Sequence, residues 1–201
     1  MTAAPTFTDP EATGWGRVPG LPDDCFRHDG LITKHPFRAI ALAGLRPRPG
    51  ELLWDLGTGA GSIAVEWCRT DATCRAVGVE RDADRLARAR ENASALTLPG
   101  QIEFAAGESA EIIASLPDPQ AVFIGGGLTA TLLAACAERL PSGGRLVCHG
   151  VTIEAETVLA EAHRERGGEL MRVGVETADR IGRLRGWKPS RSVVAWTWSK
   201  P

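Results

Sequence analysis

The densest run of residues able to do chemistry is Leu52-Leu53-Trp54-Asp55-Leu56-Gly57-Thr58-Gly59-Ala60-Gly61-Ser62-Ile63-Ala64-Val65-Glu66. An apolar run turned sharply by glycines into an amphipathic one reads as strand, tight turn and helix. Glycine lets the backbone bend and approach a ligand closely, and a helix start offers unpaired amides. A nucleotide or sulfonium cofactor is the expected tenant of Gly57, Thr58, Gly59, Gly61 and Ser62. Gly-x-Gly-x-x-Gly would need glycine where Ser62 stands, and a phosphate cradle would need Lys-Ser/Thr after Gly61, where the chain has Ser-Ile. Asp55, at the strand end, would repel a pyrophosphate but suit the ammonium of an amino-acid-like cofactor tail, directly or through water. Glu80 follows Gly61 by 19 positions and closes the next strand, where its carboxylate can accept two ribose hydroxyl hydrogens. Its neighbour Arg81 can lie over an adenine face.

Two further strand ends point to the same crevice. Gly107-Glu108-Ser109 follows the third strand and suits an adenine edge, Glu108 accepting from the exocyclic amine and the Ser109 amide donating to the ring, with a helix cap as the alternative. Gly125-Gly126-Gly127 follows the fourth, and three residues without side chains leave floor space for a bulky flat substrate. Late basic residues Arg180, Arg183, Arg185, Lys188 and Arg191, opposed only by Asp179, lie in a Gly- and Pro-containing connection. This reads as a mobile lid that binds carboxylates, or else as a solvated loop or an oligomer contact. Trp187, Trp196 and Trp198 are open to core, interface or ring-contact roles. The histidines at 28, 35, 149 and 163 have no metal-ligand spacing, so no metal site is suggested; His35 and His149 could each reach the crevice. Ser62 and Ser109 lack the partners of a nucleophile elbow.

Those residues need a scaffold, and the alternation of patterns supplies one. Strands are expected at 52–56, 76–79, 102–105, 121–124 and 146–149, with helices at 62–69, 82–95, 109–116, 129–140 and 154–166, Gly143 and Gly167 lying beyond two of the ends. Five such alternations imply a mostly parallel α/β sheet covered on both faces, with its ligand beyond the carboxyl ends of the strands. An earlier helix is expected from about Lys34 to Ala43, closed by Gly44, with Thr33 either capping it or touching the ligand. Runs 170–176 and 192–198 are too close for a parallel crossover and predict an antiparallel pair. Residues 1–20, rich in Pro and Gly, read as a tail or linker, with order beginning near Leu21.

Composition bounds the rest. The 201 residues suit one domain, the net charge of −2 argues against bulk-charge binding to nucleic acid, and 43% hydrophobic content excludes a wholly disordered chain. No run approaches the roughly 20 apolar residues of a membrane span. Five cysteines without Cys-x-x-Cys suggest reduced thiols, and the first ten residues lack a secretion signal, so the cytoplasm is the expected location.

Taken together, these residues resemble a class I S-adenosyl-L-methionine-dependent methyltransferase and, more narrowly, the decarboxylating precorrin-6Y methyltransferases of cobalamin biosynthesis. The resemblance rests on Gly20-Leu21-Pro22-Asp23-Asp24-Cys25-Phe26, Ile32-Thr33-Lys34, the segment from Trp54 to Ser62, Gly78-Val79-Glu80-Arg81, and Phe123-Ile124-Gly125-Gly126-Gly127. It implies a seven-stranded Rossmann-like sheet with an antiparallel C-terminal strand. It also implies S-adenosylmethionine as cofactor, S-adenosylhomocysteine as product, and an anionic tetrapyrrole substrate methylated on carbon 15 and decarboxylated on its carbon-12 acetate. Members of the family are fused to a carbon-5 methyltransferase domain or stand free, often as homotetramers. On this reading Thr33, Gly125 and the turn residues hold the cofactor, and Lys34, Gly126, Gly127, Arg180, Arg183, Arg185 and Lys188 hold the substrate. His35 is then a plausible weak acid for decarboxylation, whereas any scheme using tyrosine fails because the chain has none. A methyltransferase for RNA, protein or a small molecule, a nicotinamide oxidoreductase and an inactive cofactor-binding scaffold remain alternatives.

Overall fold

The computed structural model describes residues 14–201. Strands β1 (Leu52–Leu56), β2 (Arg75–Glu80), β3 (Ile102–Ala106), β4 (Ala121–Ile124) and β5 (Arg145–Gly150) are parallel neighbours in the order β3-β2-β1-β4-β5. Helices α1 (His35–Leu45), α2 (Ser62–Thr70), α3 (Ala83–Leu96), α4 (Ser109–Ile112), α5 (Ala130–Arg139) and α6 (Ile153–Arg166) cover them. Side chains alternate across the sheet as strand geometry requires. Leu53, Ala121, Phe123 and Val147 pack with α1 and α2, while Trp54, Leu56, Val122, Ile124, Leu146 and Cys148 join the core built with Leu132, Leu133 and Leu159. Burial on both faces explains why these strands are continuous apolar runs.

The chain then completes the sheet with β6 (Glu169–Val173) and the last strand, Val193–Ser199. That last strand runs antiparallel to both β5 and β6 and lies between them, giving seven strands as expected. The connection expected to be a lid loop is instead a regular hairpin, β7 (Glu176–Ile181) and β8 (Leu184–Pro189), paired as a separate two-stranded sheet; the last strand is therefore β9. Trp196 and Trp198 are core residues, whereas Trp187 on β8 is exposed. The expected helix 109–116 shortens to α4 followed by a 3-10 turn at Ile113–Ser115.

Residues 1–13 of the expected tail lie outside the described residues. Its later part is tied down: Arg69 donates to the Trp15 and Gly16 carbonyls at 3.3 Å, and the Gly20 amide donates to Glu66. From Gly20 to Lys34 the chain forms a strap across α2 and α3. Arg38 of α1, fully buried, donates from Nε to Glu66 Oε1 at 2.7 Å, from Nη1 to Asp23 Oδ1 at 2.6 Å and to the Thr33 carbonyl at 2.5 Å, and from Nη2 to the Leu21 carbonyl. Asn92 exchanges hydrogen bonds with the Arg27 backbone and donates to the Ala60 carbonyl at 2.8 Å. Asp29 pairs with Arg85 and Arg88.

Helix α1 starts differently from expectation. Lys34 occupies the N-cap position without a side-chain cap, and Asp23 Oδ1 accepts from the His35 amide at 2.9 Å instead of Thr33. Gly44 does not close the helix. It lies within it because a Cβ there would come within 2.9 Å of Thr197 Oγ1, so α1 can pack tightly on β9 only with glycine at that point. Removing one partner of a buried ion pair strands the other charge. Glu66→Ala is therefore expected to lower unfolding stability by about 3–5 kcal/mol in urea titration, and an Arg38→Met/Glu66→Leu double variant to lose less than that.

Candidate functional site

A crevice of about 540 Å³ opens at the carboxyl ends of β1, β2, β3, β4 and β5, with the strap residues Gly30–Lys34 forming one wall. Its floor is the turn after β1. The Gly57 and Thr58 amides both donate to the Val79 carbonyl at 3.0 Å, the Gly59 amide donates to Glu80 Oε2 at 3.0 Å, and Glu80 Oε1 accepts from the Asp82 amide at 3.1 Å. Glu80 is thus a buried carboxylate held by two amides, with lone pairs left toward the crevice it lines. Gly57 has φ +70°, and a Cβ on it would come within 2.8 Å of the Gly126 amide nitrogen. The β1 and β4 turns can approach this closely because residue 57 is glycine, whereas a Cβ on Gly126 would meet only the Gly57 Cα at 3.9 Å.

Asp55 serves this floor from beneath. Its Oδ2 accepts from Thr58 Oγ1 at 2.5 Å and from the Ala64 amide at 3.1 Å, and it is absent from the crevice lining. The strand alternation that puts Leu53 on the α2 face puts Asp55 there too, where the carboxylate ties the first turn of α2 to the loop. Direct contact between Asp55 and a ligand ammonium, one of the two modes expected, is therefore not what this geometry offers. Gly61 and Ser62 also lie off the crevice: Ser62 is buried, and a Cβ on Gly61 would come within 3.2 Å of Ala89 on α3. These residues shape the turn.

Around the floor, Thr33, Lys34, Gly57, Thr58, Gly59, Glu80, Arg81, Gly107, Glu108, Ser109, Gly125, Gly126 and Gly127 all line the crevice, so most of the residues singled out in the sequence converge. Arg81 and Glu108 form an exposed ion pair at 3.1 Å. Each therefore engages the other, where the sequence reading had Arg81 over a ring face and Glu108 on an amine. Four substrate candidates do not reach the crevice: Arg180, Arg183, Arg185 and Lys188 all belong to the β7–β8 hairpin and its turn, and Lys188 pairs with Asp179 at 3.1 Å. His35, the candidate acid, is exposed and lies outside the lining as well.

The lining also includes His149, one of the two histidines expected to be able to reach the crevice, and Arg191, the last of the late basic cluster. His149 is the penultimate residue of β5 and therefore stands at the carboxyl edge of the sheet. Arg191 stands just before β9, and because β9 runs antiparallel its beginning lies at that same edge, Val194 pairing with Gly150. The position of His149 in a strand was a usable signal; that of Arg191 depended on strand direction. Burial pushes the His149 imidazole down to about 4, so it is neutral near pH 7.

The acceptors lining the crevice match a hydroxyl-bearing nucleoside cofactor. A carboxylate faces the position a ribose would take after β2, and a second carboxylate under the turn occupies the amide a phosphate would need. With the 3-2-1-4-5-7-6 strand arrangement, counting β9 as the seventh strand, this fold and site define a class I S-adenosylmethionine-dependent methyltransferase. The precorrin methyltransferase domain family matches residues 24–200, and the chain belongs to that family.

Similar proteins sharpen the picture. Precorrin-6Y C(5,15)-methyltransferase [decarboxylating] from Sinorhizobium sp is 44% identical over 182 residues, which are 90% of this chain and 44% of the relative. The chain thus spans less than half the length of that curated relative. A probable cobalt-precorrin-6B C(15)-methyltransferase (decarboxylating) from Pyrobaculum calidifontis is 33% identical over 83% of this chain and 88% of its own length. The crystal structure of the C-terminal domain of precorrin-6Y C5,15-methyltransferase from Rhodobacter capsulatus superposes with a TM-score of 0.88 at 42% identity, covering 92% of this chain and all of that one.

The buried Asp55 has a measurable consequence. Burial raises its carboxyl from 3.8 to about 6, outweighing the hydrogen bonds from Thr58 and Ala64. The folded protein then binds this proton more tightly than the unfolded chain, so stability falls as pH rises from about 4 to about 6 and is not recovered above. Relative to wild type, Asp55→Asn should remove a decline on the order of 2–3 kcal/mol across that window, read from denaturant titrations at several pH values.

Proposed function

We propose that this chain methylates carbon 15 of a precorrin macrocycle with S-adenosylmethionine and decarboxylates the acetate side chain on carbon 12, as its resemblance to the decarboxylating precorrin methyltransferases implies. The observation that carries this reading is the match to the whole Rhodobacter capsulatus C-terminal domain. The Pyrobaculum calidifontis relative, of similar extent, supports the carbon-15 and decarboxylating half over the carbon-5 half. A neutral segment at Ile124-Gly125-Gly126-Gly127 and a net charge of −2 argue against RNA as the substrate.

S-adenosylmethionine supplies an electrophilic methyl group on a sulfonium. Glu80 accepts the ribose hydroxyls, Gly107, Glu108 and Ser109 border the adenine, and the Gly57–Gly59 backbone with Thr58 borders the amino-acid tail. Asp55, Gly61 and Ser62 act by holding that turn, and Arg81 acts through its pair with Glu108. The side-chain-free floor at Gly125, Gly126 and Gly127 admits a flat ring, while Lys34 and Arg191 meet its carboxylates. Transfer to an electron-rich carbon requires in-line placement at roughly 3–3.5 Å, so orientation by these walls supplies most of the effect without a strong base.

Residues 21–201 form the methyltransferase unit in this reading, with the preceding residues a linker to a carbon-5 methyltransferase domain where the two are fused. We place the protein in the cytoplasm; among the described residues no helix is long and apolar enough to cross a membrane. The hairpin then serves as an oligomer contact, in line with the homotetramers that the resemblance implies. Ile181, Leu184 and Trp187 are 67%, 76% and 72% exposed on it, apolar surface that a monomer leaves in water.

Two measurements test this reading. Calorimetry should give S-adenosylhomocysteine binding without NAD binding, and Glu80→Ala should weaken it tenfold or more, about 1.4 kcal/mol; binding of NAD alone overturns the methyltransferase assignment. Light scattering should give an oligomer that Leu184→Asp/Trp187→Asp dissociates with S-adenosylhomocysteine affinity unchanged. A monomeric wild type removes the hairpin's role as a contact.

A further inference from the structure

Among the described residues, the only buried side-chain nitrogen or oxygen atoms without a hydrogen-bond partner are Nδ1 and Nε2 of His149. A buried polar group left unsatisfied costs about 1–3 kcal/mol, so an unpartnered imidazole in an otherwise satisfied interior calls for a functional explanation. The ring is held on one side by Phe123, edge to face with centroids 5.2 Å apart, and the residue lines the crevice beside the glycine floor. A half-turn about Cβ–Cγ exchanges each nitrogen with a carbon in the same outline, so a nitrogen can meet a ligand without repacking. Arg191 lines the same crevice and supplies a fixed positive charge for a substrate carboxylate.

We propose that His149 is the catalytic acid of the decarboxylation, a role that rests on the function proposed above. The imidazolium meets the acetate side chain in the crevice. The bond between the acetate methylene and its carboxylate carbon breaks, CO₂ leaves, and the electron pair enters the conjugated macrocycle. That pair returns to the methylene carbon as a new C–H bond forms with the proton of His149. The side chain becomes methyl, the imidazole becomes neutral, and solvent restores its proton; the net change is one carboxylate and one proton giving CO₂ and a methyl group.

Electrostatics time the transfer. Burial disfavours the imidazolium in the free site, an entering carboxylate favours it, and loss of CO₂ moves the negative charge onto the macrocycle, where proton transfer to the methylene carbon discharges both it and the imidazolium. The charged side chains that share the crevice and act on this balance are Lys34, Glu80, Arg81, Arg85, Glu108 and Arg191.

The test compares wild type, His149→Gln and His149→Ala. We expect S-adenosylhomocysteine affinity within twofold of wild type, CO₂ release from the precorrin substrate slower by at least about 100-fold, and partial rescue of His149→Ala by added imidazole. CO₂ release within threefold of wild type, or a fall in cofactor affinity as large as the fall in rate, overturns the proposal. A wild type inert toward the tetrapyrrole refutes the functional reading. Imidazole NMR decides His149 independently, with the resonance assigned by its loss in His149→Gln and a polycarboxylated porphyrin as probe. Conversion of the neutral ring to imidazolium at neutral pH supports the proposal, and an unchanged ring overturns it.

Discussion

The buried pairing of Arg38 with Glu66 is the constraint on which the site's architecture depends. Both charges are withdrawn from water, and neither is satisfied by the other alone. Arg38 needs the Leu21 and Thr33 carbonyls and Asp23, and Glu66 needs the Gly20 and Leu21 amides. Every one of those partners lies on the strap. Opening the strap would strand two charges in an apolar interior, so it stays closed and Gly30–Lys34 become a wall of the crevice. The same pair joins α1 to α2, which fixes that wall relative to the turn after β1.

Within the crevice, acidic groups organise the backbone before they meet any ligand. Asp55 occupies an amide at the start of α2, and Glu80 holds the Gly59 amide across the floor. A helix start already satisfied by a carboxylate is a poor phosphate site, while a rigid carboxylate with spare lone pairs is a good hydroxyl site. Preference for an adenosyl cation over a dinucleotide therefore follows from where two acids point, even though one of them never touches the crevice.

Reversal of the last strand decides which late residues reach the crevice. Because β9 enters the sheet antiparallel, the residues before it arrive at the same edge as the ends of the parallel strands, and Arg191 is delivered to the crevice. The remaining late basic residues are carried into the hairpin along with exposed Ile181, Leu184 and Trp187. One stretch of sequence thus divides between a guanidinium that lines the crevice and exposed apolar side chains on the hairpin.

The sequence by itself determined the alternation of strands and helices, the glycine turn, and the strand ends at Glu80, Gly107 and Gly125, because local periodicity and the steric needs of tight turns are written in neighbouring residues. It also placed His149 at a strand end. Only the tertiary structure decided that Asp55 faces α2 and not the ligand, that Asp23 and not Thr33 caps α1, that Arg81 pairs with Glu108, and that His149 and Arg191, not His35 and the hairpin cations, line the crevice. Those outcomes depend on contacts between residues far apart in the chain and on the direction of one strand. Spacing along the chain carries neither.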